Sequence, residues 1–447
     1  MDKTPVKLGE ILIKENMLTQ EQLDIALEIQ RKEGGLIGGI LVKHGFIKSE
    51  AIINVFVQYL DHLYVEHKLS LKSKILFIAI SAFFALTLLY YLDNQPLLKN
   101  INHKLYSWLL NVEYTFRGPP AAIRDVVIVA IDNETVSNMP YRWPYPRSNF
   151  ATVIENLKKA KPRVIGIDFA YLGKSTPPDD ILLNKAFNWP HLILASSINE
   201  DGRLNASYFS NNTNTYGIVT KLQDDDGIIR RDLIYLINKE KPKEAFLSWE
   251  MQVLKAVKAI DVHSMADAGE RISFKNNDNE QWSVPVDKAA KSFLIHFRSH
   301  TKDFQRISFY NVFNGDFDPN LIKDKIVLIG VLPALFQDIQ NTSVGFLPGV
   351  ILNANAFLTL YTHEFLKEVP LLPEKIIIII AVILTSLSMF SLKKRTSLLI
   401  LIQITVFFLI SYVSLISGYV LNYLDLPCAI ILCPFLSKKI LSKLKFL

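Results

Sequence analysis

The chain has 447 residues and a mass of 50.9 kDa, too long for one ordinary core and long enough for two or three domains. Lys plus Arg number 49 against 43 Asp plus Glu, a net charge of +6 spread along the chain, which sets a nucleic-acid binder aside. Half of the residues are apolar and the two cysteines, Cys428 and Cys433, lie in one C-terminal apolar run, so a disulfide scaffold and a cysteine-built zinc site are excluded and a membrane protein is indicated.

Residues 1–50 carry mixed charges with no apolar core segment, so they are not a signal peptide. They contain an internal repeat. LGEILIKENML (8–18) aligns with IGGILVKHGFI (37–47) at a constant offset of 29, and Leu23 and Leu27 fall on Ile52 and Phe56. Each unit predicts a short helix, a turn at Asn16 or Gly45, and a longer amphipathic helix. Thr19 and Ser49 are the N-cap candidates, each with an acidic residue behind it, Glu21 and Glu50. Residues 31–35 form the spacer.

This repeat resembles the N-terminal domain of type II secretion and type IV pilus ATPases (the MshEN-type domain). The resemblance implies a small all-α cytoplasmic module over residues 1–60 that takes cyclic di-GMP. Carried over residue by residue, the contacts are Lys7, Leu8, Gly9, Leu12, Leu36, Ile37, Gly38 and Leu41. Lys7 and Leu36 stand where the family has arginine, and lysine lacks the planar fork that stacks on a base. Two readings stay open: a nucleotide-binding module, and one that docks a protein partner without nucleotide.

After a linker (61–74), an uncharged run over 75–92 has a length, at about 1.5 Å per residue, that nearly crosses a hydrocarbon core of about 30 Å. Further spans are predicted at 376–392, 397–418 and 421–437. Gly418 turns the chain between the last two, and Asp425 lies near the outer end of the last. Three basic clusters fix the orientation. They are Lys68, Lys72 and Lys74; Lys393, Lys394 and Arg395; and the tail 438–447 with Lys438, Lys439, Lys443 and Lys445. With four spans all three face the cytoplasm, both termini lie inside, and residues 94–370 are exported. The tail is too short for a catalytic domain, so the expected output is binding.

Between the spans, apolar strands alternate with amphipathic helices. VVIVAID (126–132), RVIGIDF (163–169), residues 192–196 and KIVLIG (325–330) are buried-strand runs, and 147–161 and 349–361 are helical by period. Such a pattern predicts an α/β domain, a mainly parallel sheet with helices on both faces. Residues 227–297 alternate in the manner of antiparallel strands. Two of the parallel strands end in carboxylates, where sheets of this kind bind ligands. Asp132 and Asp168, with Arg142, Trp143, Arg147 and Asp338, form a candidate exported pocket for a small anion or a ring. The alternative is that Trp143 and the prolines beside it are a packed loop, and that the aspartates cap helices or pair with arginine. DDDG (224–227) has acids at inner calcium-loop positions, but Leu222 and Leu233 fill the first and last, which argues against calcium. There is no lysine-bearing phosphate loop and no nucleophile elbow. No cofactor and no metal is expected.

VVIVAID, RWPYPR (142–147), RVIGIDF, DDDGIIRR (224–231), KIVLIG and NTSVGFLPGVILNANAF (341–357), in this order, resemble the CHASE type-2 sensor domain of bacterial receptors. The resemblance covers about residues 95–365. It implies one span before the domain and three after it, the last opening on an LDLP-like sequence, here 424–427. Ser343 and Asn353 stand where the family has Pro and His. The function so implied is that of a non-catalytic receptor or scaffold of the bacterial inner membrane. Its partners would be the lipid bilayer, an unknown exported ligand, a cytoplasmic signalling or secretion/pilus protein, cyclic di-GMP, and a second copy of itself. Two other classes remain: an assembly component of a secretion or pilus system, and an exported enzyme using the Asp-lined crevice.

Overall fold

The computed structural model describes residues 9, 12–13, 17–34, 37–48, 71–199, 204–205, 208–209, 215–237, 245–332, 338–391 and 396–443. Two compact units separate: Asn100–Glu368 with Tyr412–Leu421, and the remainder of the chain.

The larger unit is built on a parallel sheet. Its order is Gln305–Ser308, Val126–Ile131, Ile326–Val331, Val164–Ile167, Leu192–Ile198 and then Tyr216–Ile218, all parallel, with the short strand Leu204–Asn205 antiparallel at the edge. Every residue of 126–131 is buried because alternate side chains enter different cores. Val126, Ile128 and Ala130 pack with the helices Trp249–Lys258 and Gly349–Thr362. Val127, Val129 and Ile131 pack with Arg147–Lys159, Pro177–Phe187 and Phe309–Asn314. This is why the central strands 126–131, 326–331 and 164–167 are apolar at every position rather than at alternate ones.

The predicted antiparallel stretch holds a meander, Ile260–Asp267, Arg271–Asn276 and Gln281–Pro285. Ile229–Leu233 pairs antiparallel with Ser292–Leu294 and parallel with Ile339–Thr342. The helix Pro96–Arg117 is absent from the sequence expectations, as are the helices Pro177–Phe187, Trp249–Lys258 and Phe309–Asn314 and the strand Gln305–Ser308. At the other end of the unit, Lys367–Glu368 pairs in parallel with Tyr419–Val420. The turn before that pair requires glycine. Gly418 has φ +87°, and a Cβ there would lie 2.7 Å from the Phe365 carbonyl oxygen.

Among the described residues, three helices are long and apolar enough to cross a membrane: Leu71–Tyr91, Leu372–Met389 and Thr396–Ile416. The fourth expected span is a helix, Asp425–Lys443, but it is not one of these three. Its charge-free stretch is only residues 426–437, because Lys438, Lys439 and Lys443 lie within the same helix. Ser81 on the 71–94 helix donates to Ser437 on this short helix at 2.9 Å.

Within residues 12–48, Thr19 caps the helix Gln20–Glu33 reciprocally with Gln22. Two turns 29 residues apart are bonded alike. Met17 and Leu18 donate to the Leu12 carbonyl, and Phe46 and Ile47 donate to that of Leu41. Ser49 lies outside the described residues.

Candidate functional site

All C-terminal ends of a parallel sheet open on one edge. Asp132 and Asp168 therefore emerge together from an identical sequence device, an apolar strand closed by a carboxylate.

Asp132 is a helix cap. Its Oδ1 accepts from the Thr135 amide (2.9 Å), the Thr135 hydroxyl (2.8 Å) and the Ser308 hydroxyl (2.9 Å). It thereby closes the N-terminus of Asn133–Asn138 and ties it to the neighbouring strand. Beside it, along the 305–308 edge strand, opens a cleft of about 610 Å³ that includes Glu134, Arg306, Asn311, Asp316 and Phe317.

Asp168 has a different neighbourhood. Burial and then the charge of Asp338 push its carboxyl up to about 7, against the opposing pull of Lys221 and the Asn353 side chain. Burial also raises Asp338, although Gln340 (3.4 Å) and the Gly349 amide favour its charged form. Gly349 opens the 349–362 helix, and a Cβ there would lie 2.6 Å from both Asp338 carboxylate oxygens. Glycine lets that carboxylate close over the helix start.

Lys221 belongs to a buried triad. Its Nζ is 3.0 Å from Asp232 and 2.6 Å from Glu250, and no side chain of the three is more than 5% exposed. Burial alone would lower the Lys221 ammonium, but Asp232 and Glu250 hold it above its ordinary value. Burial and then Asp232 drive Glu250 well above the carboxylate range. One lysine thus faces two buried carboxyls.

The remaining sequence candidates do not join this pair. Arg147 bonds Asp180 at 2.6 Å and the Gly173 carbonyl at 2.9 Å, and lies over the rings of Tyr171, Tyr208 and Phe209. Trp143 packs against Tyr145 and Phe169, with ring centroids 5.4 and 5.7 Å away. Arg142 is exposed. The RWPYPR segment is thus a packed loop in which the charge of Arg147 is already matched. Asp224 and Asp226 lie with His103 in one cluster, but the Arg230 guanidinium spans both carboxylates at 2.7–2.8 Å. Hydrogen bonding from Arg230 holds Asp226 down to about 2, so both carboxylates already have a protein cation as partner.

In the N-terminal region, Leu12 and Leu41 are fully buried with Leu18, Leu23, Ala26, Ile40 and Ile47. They form the core of that region rather than a ligand face. A Cβ on Gly9 would meet the Leu23 side chain at 2.5 Å. Ile37 and Gly38 open the short helix Ile37–Lys43. Lys7, Leu8 and Leu36 lie outside the described residues.

Sequence reasoning missed Ser308, Lys221, Asp232, Glu250 and the partnership of Asn353 with Asp168. No local pattern reveals which distant element each of these residues will meet.

A doubly covered parallel sheet with carboxylates at its open edge, in a chain with three apolar helices, defines a membrane-tethered α/β domain. The chain belongs to the CHASE2 domain family, which matches residues 70–388, more than two thirds of its length. Comparison with curated proteins and with solved structures gives no match. CHASE2 domains are extracellular sensor domains rather than catalytic ones, and the three apolar helices fit a membrane protein.

Proposed function

We propose that the chain is a non-catalytic signalling receptor or scaffold of the bacterial inner membrane, which passes an extracytoplasmic cue to its cytoplasmic N-terminal region. The observation that carries this reading is the CHASE2 domain bracketed by apolar helices, with the Asp168–Asp338 pair at its open strand edge. Two carboxyls that share a site respond to protons and cationic groups at near-neutral pH.

The topology follows from the basic clusters. Residues 94–370 are exported, and the Gly418 turn lies on the same side, a placement supported by the pairing of Tyr419–Val420 with Lys367–Glu368. The short helix Asp425–Lys443 returns the tail to the cytoplasm beside the first span, which the Ser81–Ser437 bond supports. Reporter fusions after residues 74, 395 and 447 report cytoplasm, and fusions near Asn211 and Asn422 report the exported side. A fusion at Leu447 that reports export removes the return helix.

The N-terminal region docks a cytoplasmic protein of signalling or secretion type. The like-bonded turns at Leu12 and Leu41 support a paired module, and the missing arginines at Lys7 and Leu36 favour docking over cyclic di-GMP. Calorimetric titration of cyclic di-GMP into the full chain in detergent gives no heat on this reading. Cross-linking from residues 1–60 in membranes identifies the partner. Saturable nucleotide binding, with no partner captured, reverses the choice.

A further inference from the structure

The helix Pro96–Arg117 begins two residues after the first apolar helix ends at Asn94, and it leads the chain into the sensor domain. Its inner stripe is Tyr106, Leu109, Leu110 and Glu113. Glu113 is 0% exposed, a carboxylate where the periodicity calls for an apolar residue.

Its partners explain why. Glu113 Oε2 lies 2.9 Å from His296 Nε2, and its Oε1 accepts from Arg117 at 2.6 Å and faces Arg298 Nε at 3.8 Å. His296 Nδ1 lies 3.1 Å from the backbone carbonyl of Glu364. Arg298 donates to the Glu364 carboxylate and, at 3.1 Å, to the Gly118 carbonyl. The stretch bearing His296 and Arg298 is fixed in turn to the 349–362 helix. There the His296 amide donates to the Thr359 hydroxyl (3.0 Å), and Ser299 and Asn355 exchange two bonds.

Both ring nitrogens of His296 thus face oxygens that can only accept. A neutral imidazole has one N–H and leaves one of those contacts lone pair against lone pair; the imidazolium satisfies both. The charged groups around it are Glu113 and Arg117 on the entering helix, Arg298 on its own segment, and Glu364 on the segment that runs on to the second apolar helix. Three cations against two carboxylates leave the charge of Glu113 fully compensated.

We propose that this cluster is a clasp held by a protonated His296, which locks the segment entering the sensor domain (100–117) to the segment leaving it (364–368). The two connections to the membrane helices then move as one. The role in signalling rests on the receptor reading above, but the clasp itself is tested without it.

The experiment is hydrogen exchange on the full chain in detergent, with peptides covering 100–117, 362–368 and, as reference, 126–131. A charge-assisted bond is worth about 1.5–3 kcal/mol, so Glu113→Gln speeds exchange about tenfold or more in both connecting segments, with the 126–131 strand unchanged. Acceleration confined to 100–117 overturns the coupling. If Glu113→Gln loosens the reference strand as well, Glu364→Gln, at the more exposed end, provides the reading: both segments accelerate together or the clasp is wrong. Imidazole 15N shifts of the wild-type chain, assigned with His296→Gln, report the protonation directly. Two protonated nitrogens are expected, and a neutral tautomer overturns the proposal whatever the variants do.

Discussion

Two ends of the same sheet edge make an instructive pair. At the 126–131 strand, Asp132 is met by three donors from Thr135 and Ser308 and serves as a cap. Two strands across the sheet, Asp168 closes the 164–167 strand and feels the charge of a second carboxylate, Asp338, while the cation that opposes it, Lys221, is already claimed by Asp232 and Glu250. An apolar strand ending in aspartate is therefore a structural device in one place and a responsive one in the other. The side chains brought alongside by neighbouring strands make the difference. Donors stabilise the charge, whereas burial beside a like charge favours the proton.

The largest effect should come from removing the cation on the responsive side. Lys221→Met leaves a buried carboxylate uncompensated and costs about 3–5 kcal/mol, measured by denaturant unfolding of the detergent-solubilised chain. A cost under about 1 kcal/mol would show that water, not Lys221, compensates the triad.

The next test uses pH. The carboxyl of Asp168 is raised from 3.8 to about 7, so its contribution to stability is complete below its unfolded value and is lost as pH rises through about 7. Asp168→Asn removes that loss. The variant should match or exceed wild type in stability at pH 8 and lose the advantage near pH 4, with partial exposure trimming the difference. A variant less stable than wild type at pH 8 would mean that Asp168 is a charged partner after all.

Asp132→Ala should behave in the opposite way at pH 8. It deprives three donors of their acceptor and uncaps the 133–138 helix, a loss of about 1–2 kcal/mol by thermal unfolding. If both aspartate variants shift stability in the same direction at that pH, the distinction between the two ends fails. The smallest effect is expected for Ser308→Ala. It removes one of the three donors and costs about 0.5–1.5 kcal/mol while leaving the cap in place.

A separate pH dependence belongs to the clasp. Burial opposes the charge of Glu113, but His296, Arg117 and Arg298 outweigh it and hold the carboxyl below its ordinary value. This stabilisation is present above the ordinary carboxylate range and is lost as pH falls through the lowered value. Exchange in 100–117 should therefore accelerate in acid well before exchange in 126–131 does.

Much of the fold is legible from the chain because its signals are local. The central strands of the parallel sheet announce themselves as unbroken apolar runs, since helices cover both faces, whereas the edge strand Gln305–Ser308 does not. The helices Arg147–Lys159 and Gly349–Thr362 show their period, and the Gly418 turn its glycine. The helix 96–117 is less legible because Glu113 interrupts its apolar stripe, and the reason for that carboxylate, His296, lies 183 residues away. The last helix begins only at Asp425 and runs on into three lysines, so its charge-free stretch is shorter than the apolar run at 421–437 suggests.

What the sequence by itself determined is therefore the α/β class, the apolar helices, the family and the two strand-end aspartates. Each depends on residue type and on spacing within a single element. The tertiary structure decided that Arg147 and Trp143 belong to a packed loop, that Asp132 is a cap, that Asp168 faces Asp338, and that Lys221 and His296 compensate buried acids. Those outcomes depend on which strand ends and helix faces the sheet order brings together. A charge in a buried place takes its chemistry from partners far away in the chain, and only the fold supplies them.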